Sequence, residues 1–286
     1  MFFYDYVLLV VLSAIWGASF MFMRILAPAL GPVATADMRL LIAGIALVIF
    51  LKFQKYDLQW KKNWKRYLII GLLNSGISFL LFSFAALYIP ASVSVILNSL
   101  TPMFGALSAV IWLGEKMSWK LIVGIILGIT GVAVIRGGGS FELTGMTTLA
   151  MGACVFATMF YGVGSVYTKL KAHDIGAQAI AAGSQLMVGV LFLPLVFFTS
   201  IRTEITIEIV VSTLIFALFC SAVAYIIFYR LIKTLGPVKT TSVTFLIPVF
   251  GFIWGTLFLH EEITVKMILG AVIVLSGMYF VTGKKK

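Results

Sequence analysis

The polar side chains of this chain that are spaced to act together carry no charge. Ser94, Asn98, Thr101, Gly105 and Ser108 recur every three or four residues, so one face of a helix presents hydroxyls, an amide and bare backbone. Groups of that kind bind by donating and accepting hydrogen bonds. The groups that could act as acids, bases, nucleophiles or metal ligands are scattered: His173 and His260 read as solvated positions, and Cys154 and Cys220 as small buried hydrophobes inside apolar runs. No cluster of His, Cys, Asp or Glu has metal-ligand or catalytic spacing, and no phosphate-loop pattern occurs. The sequence therefore points to binding and away from catalysis, with no metal and no cofactor.

That polar face belongs to a segment the chain contains twice. Adding 146 to the numbering takes Leu100 to Leu246, Pro102 to Pro248, Phe104 to Phe250, Gly105 to Gly251, Glu115 to Glu261, Gly124 to Gly270 and Gly131 to Gly277. The same offset takes Arg39 to Gln185, Ser75 to Ser221 and Asn98 to Thr244. In the second copy Thr241, Thr244, Pro248, Gly251 and Gly255 form the matching face. A repeat of this period defines an architecture. Small faces of this type serve close helix packing in lipid or line a cavity where prolines release backbone carbonyls.

The solvent of this architecture is lipid: 62% of residues are hydrophobic, 11% are charged and the mean hydropathy is +1.12. Apolar stretches fall at 6–25, 35–53, 66–87, 91–112, 119–136, 146–168, 177–199, 208–232, 237–258 and 264–282, which predicts ten crossings. The first reads as a retained helix and not a signal peptide. Residues 1–136 form one five-helix repeat, 137–144 a glycine-rich connector, 145–283 the second repeat and 284–286 a basic tail. Because five is odd, the repeats enter the membrane from opposite sides. The expected fold is an all-α integral membrane protein of ten transmembrane helices in two inverted five-helix repeats, an arrangement that implies a secondary transporter.

Sixteen of the 21 Lys and Arg residues fall on the side holding both termini, which places both ends in the cytoplasm of a cell (inner or plasma) membrane protein. This asymmetry accounts for the net charge of +11 as topology and lipid contact, with no nucleic-acid partner. Monomer or weak homodimer is expected.

Several of these residues also carry a family resemblance. Trp16-Gly17, Arg39, Pro90-Ala91-Ser92, Leu100-Thr101-Pro102 and Leu113-Gly114-Glu115 leading to Gly124 and Gly131 resemble the EamA-type family of the drug/metabolite transporter superfamily. The resemblance spans both halves. It implies ten helices with cytoplasmic termini and movement of small metabolites, often export of amino acids or toxic amphiphiles. The chain departs from the family's aromatic-amino-acid exporters in its third stretch, where Tyr and His would be expected and Asn74, Ser75, Ser78 and Phe79 stand instead.

The substrate-binding candidates are Trp16, Asn74, Ser78, Phe79, Asn98, Tyr161, Gln185, Tyr225 and Thr244, with Pro102, Pro248, Arg39 and Asp37 as candidates for kinks or gating. Amides, hydroxyls and ring faces suit a zwitterion or an apolar cation. Asn98 and Thr244 are expected to face one another's half across a midplane cavity. All ten carboxylates fall at helix ends or in loops on these spans, which favours facilitated diffusion or exchange and leaves Asp37, near the outer mouth, as the one candidate for proton coupling. Arg39 and Gln185 either cap carbonyls of neighbouring helices or touch substrate. The same fold serves export of an amino acid or amphiphilic cation, or uptake of a metabolite or vitamin. The charge asymmetry makes a direct prediction: a cysteine at Lys62 is labelled by an impermeant maleimide only from the cytoplasmic side and one at Gly138 only from outside, and the reverse pattern would invert the orientation.

Overall fold

The computed structural model describes residues 2–137, 142, 144–199, 201, 203–240 and 242–282, and among them every regular element is a helix. The crossings are α1 (Phe2–Leu30), α2 (Pro32–Phe53), α3 (Trp60–Ala85), α4 (Ala91–Leu113), α5 (Trp119–Arg136), α6 (Gly145–Lys171), α7 (Ala177–Val196), α8 (Ile207–Leu235), α9 (Val243–Leu259) and α10 (Val265–Thr282). Nine are long and apolar enough to span a bilayer, and the shorter α9 is preceded by a helical turn, Pro237–Thr240. Gly138, Gly139 and Ser140 of the connector lie outside the described residues, as do Arg202, Thr241 and the tail Lys284, Lys285 and Lys286.

The helix pairs that pack together map onto one another when the halves are exchanged. α1 packs on α9 as α6 packs on α4; α1 meets α8 as α6 meets α3; and α2 with α7 and α5 with α10 are pairs that map onto themselves. With an odd number of crossings per half, this is the inverted repeat expected from the sequence. The repeat extends to a local irregularity. α3 widens to π geometry over Leu72–Gly76 and α8 over Leu218–Val223, starting at positions related by the same offset as the sequence repeat. One extra residue per turn releases carbonyls from the regular ladder, and such bulges recur at functional sites.

Two self-paired contacts hold the halves together, and both depend on glycine. A Cβ added at Gly44 in α2 would lie 2.5 Å from the Leu186 backbone nitrogen in α7, and one at Gly189 would lie 2.8 Å from the Leu41 nitrogen. In the α5–α10 pair the approach is reciprocal: a Cβ at Gly124 would stand 2.9 Å from the Gly277 carbonyl oxygen, and one at Gly277 2.8 Å from that of Gly124. In lipid, where no hydrophobic drive joins helices, such backbone proximity supplies the dispersion contacts.

Helix starts follow from local chemistry. Gly31 at φ 82° turns the chain between α1 and α2, and Pro32 opens α2 where its missing N–H costs nothing. α2 therefore begins three residues before the span read from hydropathy. Thr144 and Thr147 form a capping box on α6, and Ser118 caps α5 by accepting from the Leu121 N–H at 3.2 Å. At the basic end of the bundle Arg66 of α3 bonds both oxygens of Asp174 in the α6–α7 turn at 2.8 and 2.9 Å. That hydrogen bond holds the Asp174 carboxyl below its ordinary range, so the contact persists at neutral pH and is lost as pH falls through the lowered value.

The prolines act differently in the two repeats. α4 is interrupted at Ser99 and Leu100, and Pro102 sits in the first turn of the piece that follows, Thr101–Leu113. α9 instead runs through Pro248 from Val243 to Leu259.

The glycine contact at α2–α7 sets a measurable expectation. Gly44→Ala should destabilise the purified protein by about 1–3 kcal/mol through overpacking against backbone. Gly152→Ala, where an added Cβ meets nothing within 4 Å, should hold or raise the melting temperature. Equal melting temperatures for both variants would mean that the halves do not meet at Gly44.

Candidate functional site

Arg39 organises the centre of the bundle. It lies in the second turn of α2, deeper than the end-of-helix position expected from hydropathy, and only 5% of it is exposed. Its Nε donates to Ser221 Oγ at 2.8 Å, and its Nη2 donates to the Cys220 carbonyl at 3.2 Å and to Ser19 Oγ at 3.4 Å. Ser221 and Cys220 belong to the α8 π-bulge, so the charge is lodged where the backbone is irregular. Phe79 of α3 covers the guanidinium at 3.8 Å and Phe216 of α8 at 4.6 Å, both in cation–π geometry. Among the described residues no carboxylate lies within ion-pair distance, and Nη1 has no hydrogen-bond partner.

Aromatic rings wall this centre. Trp16 of α1 meets Tyr225 edge-on at 6.2 Å and Phe228 at 5.2 Å. Tyr161 of α6 stacks on Phe82 at 6.1 Å, and both tyrosines lie within electrostatic range of Arg39. The Tyr225 hydroxyl faces Ser75 in the α3 π-bulge. The structure thus gathers Phe79, Tyr161 and Tyr225 around Arg39, with Trp16 packed behind Tyr225.

The other candidates are placed elsewhere. Asn74 donates to Thr168 Oγ1 at 3.2 Å and joins α3 to α6; Ser78 donates to the Ala157 carbonyl at 3.0 Å and serves the same contact. Asn98 ends the first piece of α4, its carbonyl accepting from Thr101 Oγ1 at 2.8 Å. Thr244 reaches the Met278 sulfur of α10 at 3.8 Å. Gln185, the repeat partner of Arg39, is 1% exposed, and neither amide atom has a hydrogen-bond partner among the described residues. Asp37 sits in the second turn of α2, fully buried, and both its oxygens likewise lack partners. It is therefore no helix-end carboxylate: the early start of α2 carries it into the bundle.

Sequence reasoning did not single out Phe216 or the π-bulges. The offset linking Ser75 to Ser221 was the available signal, since it marked the two positions that the bulges share.

At the end of the bundle opposite the basic one, a cleft of about 640 Å³ is lined by Arg24, Pro28, Leu87, Pro90, Leu259, His260, Glu261 and Glu262. Glu261 closes its side. The Ala91 N–H donates to Oε1 at 2.7 Å and the Ser92 N–H to Oε2 at 3.0 Å, so one carboxylate caps the start of α4, whose own N-cap residue, Pro90, offers no side-chain acceptor. His260 at φ 53° turns the chain so that Glu261 can fold back, as Gly114 at φ 66° does ahead of Glu115 in the other repeat. The counterpart of Ala91 in the second repeat is Pro237, which has no N–H to give. Replacing Glu261 with Ala strands two helix-start donors and should cost about 1–3 kcal/mol for each group left buried. Glu261→Gln should cost less, and equal melting temperatures for wild type and Glu261→Ala would refute the cap.

Comparison with known proteins agrees with this architecture. The chain is 30% identical over 285 residues to an uncharacterized transporter of Bacillus subtilis, YvbV, covering 98% of this chain and 92% of that one. A probable terminal-alkyne amino-acid exporter of Streptantibioticus cattleyicolor is 22% identical, covering 86% and 84%. A solved crystal structure superposes with a TM-score of 0.61 at 16% identity, covering 94% of this chain and 95% of that chain, which establishes likeness of fold. The family model of the EamA-like transporter family matches residues 5–137 and again 148–283, and the chain, a multi-pass membrane protein and a transporter, belongs to that family.

Proposed function

We propose that this transporter exports a small amino-acid-like zwitterion by alternating access between its two halves, with Arg39 receiving the carboxylate. The observation that carries the reading is the buried guanidinium of Arg39 with no carboxylate beside it among the described residues and with Nη1 unused. A charge in that setting is costly unless a partner arrives, and a fork of N–H donors fits a carboxylate best. The same charge repels an apolar cation, so of the two substrate classes open to the sequence the amino acid is favoured. Trp16, Tyr161 and Tyr225 would supply ring faces for the substrate's apolar body. The Streptantibioticus relative, a probable terminal-alkyne amino-acid exporter, supports the reading of amino-acid export. The excess of Lys and Arg on one side favours an orientation with both termini in the cytoplasm of the cell membrane.

A thermal-shift screen of purified protein against amino acids identifies a ligand, because binding to the folded state stabilises it by mass action. For that ligand, Arg39→Gln should weaken apparent affinity about ten- to hundredfold, the value of a hydrogen bond to a charged group. Arg39→Lys should recover little, since an ammonium does not reproduce the fork. An Arg39→Gln protein that melts lower yet binds the amino acid unchanged would reduce Arg39 to a tie between helices and end this reading.

A further inference from the structure

Arg39 and Gln185 occupy equivalent positions in the two repeats, but their surroundings are unequally satisfied. Arg39 has hydrogen-bond partners in the α8 π-bulge and on α1. Gln185 is buried to the same degree, and neither its Nε2 nor its Oε1 meets a partner among the described residues. Folded proteins seldom leave a primary amide with both ends unmatched, and each such group calls for its own explanation.

The repeat indicates where an explanation lies. What α8 is to Arg39, α3 is to Gln185, and the α3 π-bulge, Leu72–Gly76, contains Ser75 as the α8 bulge contains Ser221. Tyr225 spans the two positions, since its hydroxyl faces Ser75 while it lies within electrostatic range of the Arg39 guanidinium. The close approach of Gly44 to the Gln185 backbone puts Gln185 level with a point about five residues along α2 from Arg39, roughly 7.5 Å at the rise of a helix.

We propose that Gln185, Ser75 and Tyr225 form a second half-site, and that it receives the far end of the substrate whose carboxylate Arg39 holds. This rests on the carboxylate reading of Arg39. The chemistry of the far end follows from what Gln185 lacks. Nε2 requires an acceptor and Oε1 requires a donor. An ammonium group offers donors only, and a carboxylate offers acceptors only. A primary carboxamide offers one of each, side by side, and completes both atoms of Gln185 in a paired amide contact. The preferred substrate class is therefore an amino acid with an uncharged carboxamide side chain, ahead of an aliphatic, acidic or basic one of similar length.

The test is competition binding on the purified full-length protein with L-glutamine, L-methionine and L-glutamate as probes. Wild type should bind glutamine several-fold to tenfold more tightly than methionine. Gln185→Met, which keeps the volume and removes the amide, should level the two to within about twofold. Gln185→Leu, which likewise removes both donor and acceptor, should also erase the preference for glutamine, and it serves where the methionine variant does not yield a monodisperse protein. An unchanged glutamine-to-methionine ratio in these variants would overturn the half-site and leave Gln185 as a packing residue. If Arg39→Gln has no effect on either probe but Gln185→Met still removes the preference, the carboxylate reading falls while the half-site stands. A wild-type protein that binds none of the three probes overturns both.

Discussion

A single uncompensated cation fixes the centre of this molecule. Arg39 cannot leave the low-dielectric interior, and among the described residues no acid neutralises it, so its surroundings must do so with dipoles and ring faces. Its contacts bring together four helices: α1 through Ser19, α2 itself, α3 through Phe79 and α8 through Ser221, Phe216 and a carbonyl of the π-bulge. That carbonyl lies in the stretch where α8 widens to π geometry. The irregular backbone in α8 and the charge in α2 are two parts of one arrangement.

Inverted repeats give a transporter two similar halves, and exchanges at a few positions bear on the centre and on the helix starts. Arg39 stands where the other repeat has Gln185, Phe79 where it has Tyr225, and Ala91 where it has Pro237. Each exchange changes hydrogen-bonding capacity at a position the backbone otherwise treats alike. The carboxylate at the close of each repeat shows the effect: Glu261 holds two N–H groups of α4, whereas Glu115 lies 3.8 Å from Lys169.

The crossings, the doubling and its inversion could be read from the sequence because each leaves a mark at long range: hydropathy over about twenty residues, a constant offset, and the parity of five. The site was less visible. Hydropathy gave no warning that Gly31 would turn the chain sharply enough for α2 to start at Pro32, which moved Asp37 and Arg39 from the expected edge into the interior. Helical spacing put Asn98 and Thr244 on polar faces, but spacing says which residues share a face and not which neighbour that face meets; Thr244 turns to a methionine of α10. The π-bulges were hidden because the two stretches, LLNSG and LFCSAV, share little beyond a leucine and a serine. Bulge formation depends on packing against α2 and α7, which no local pattern encodes.

The α5–α10 seam has a consequence for how the protein is made. α5 closes the first repeat, but the helix that covers its glycine face is synthesised well over a hundred residues later, at the close of the second repeat. At ordinary translation rates the ribosome needs on the order of 10–30 s to reach the partner of any residue in α5. Throughout that interval Gly124 and Gly131 face lipid, with backbone carbonyls that nothing yet approaches. The first repeat must therefore survive in the bilayer as a half-finished object until α10 arrives to close the seam.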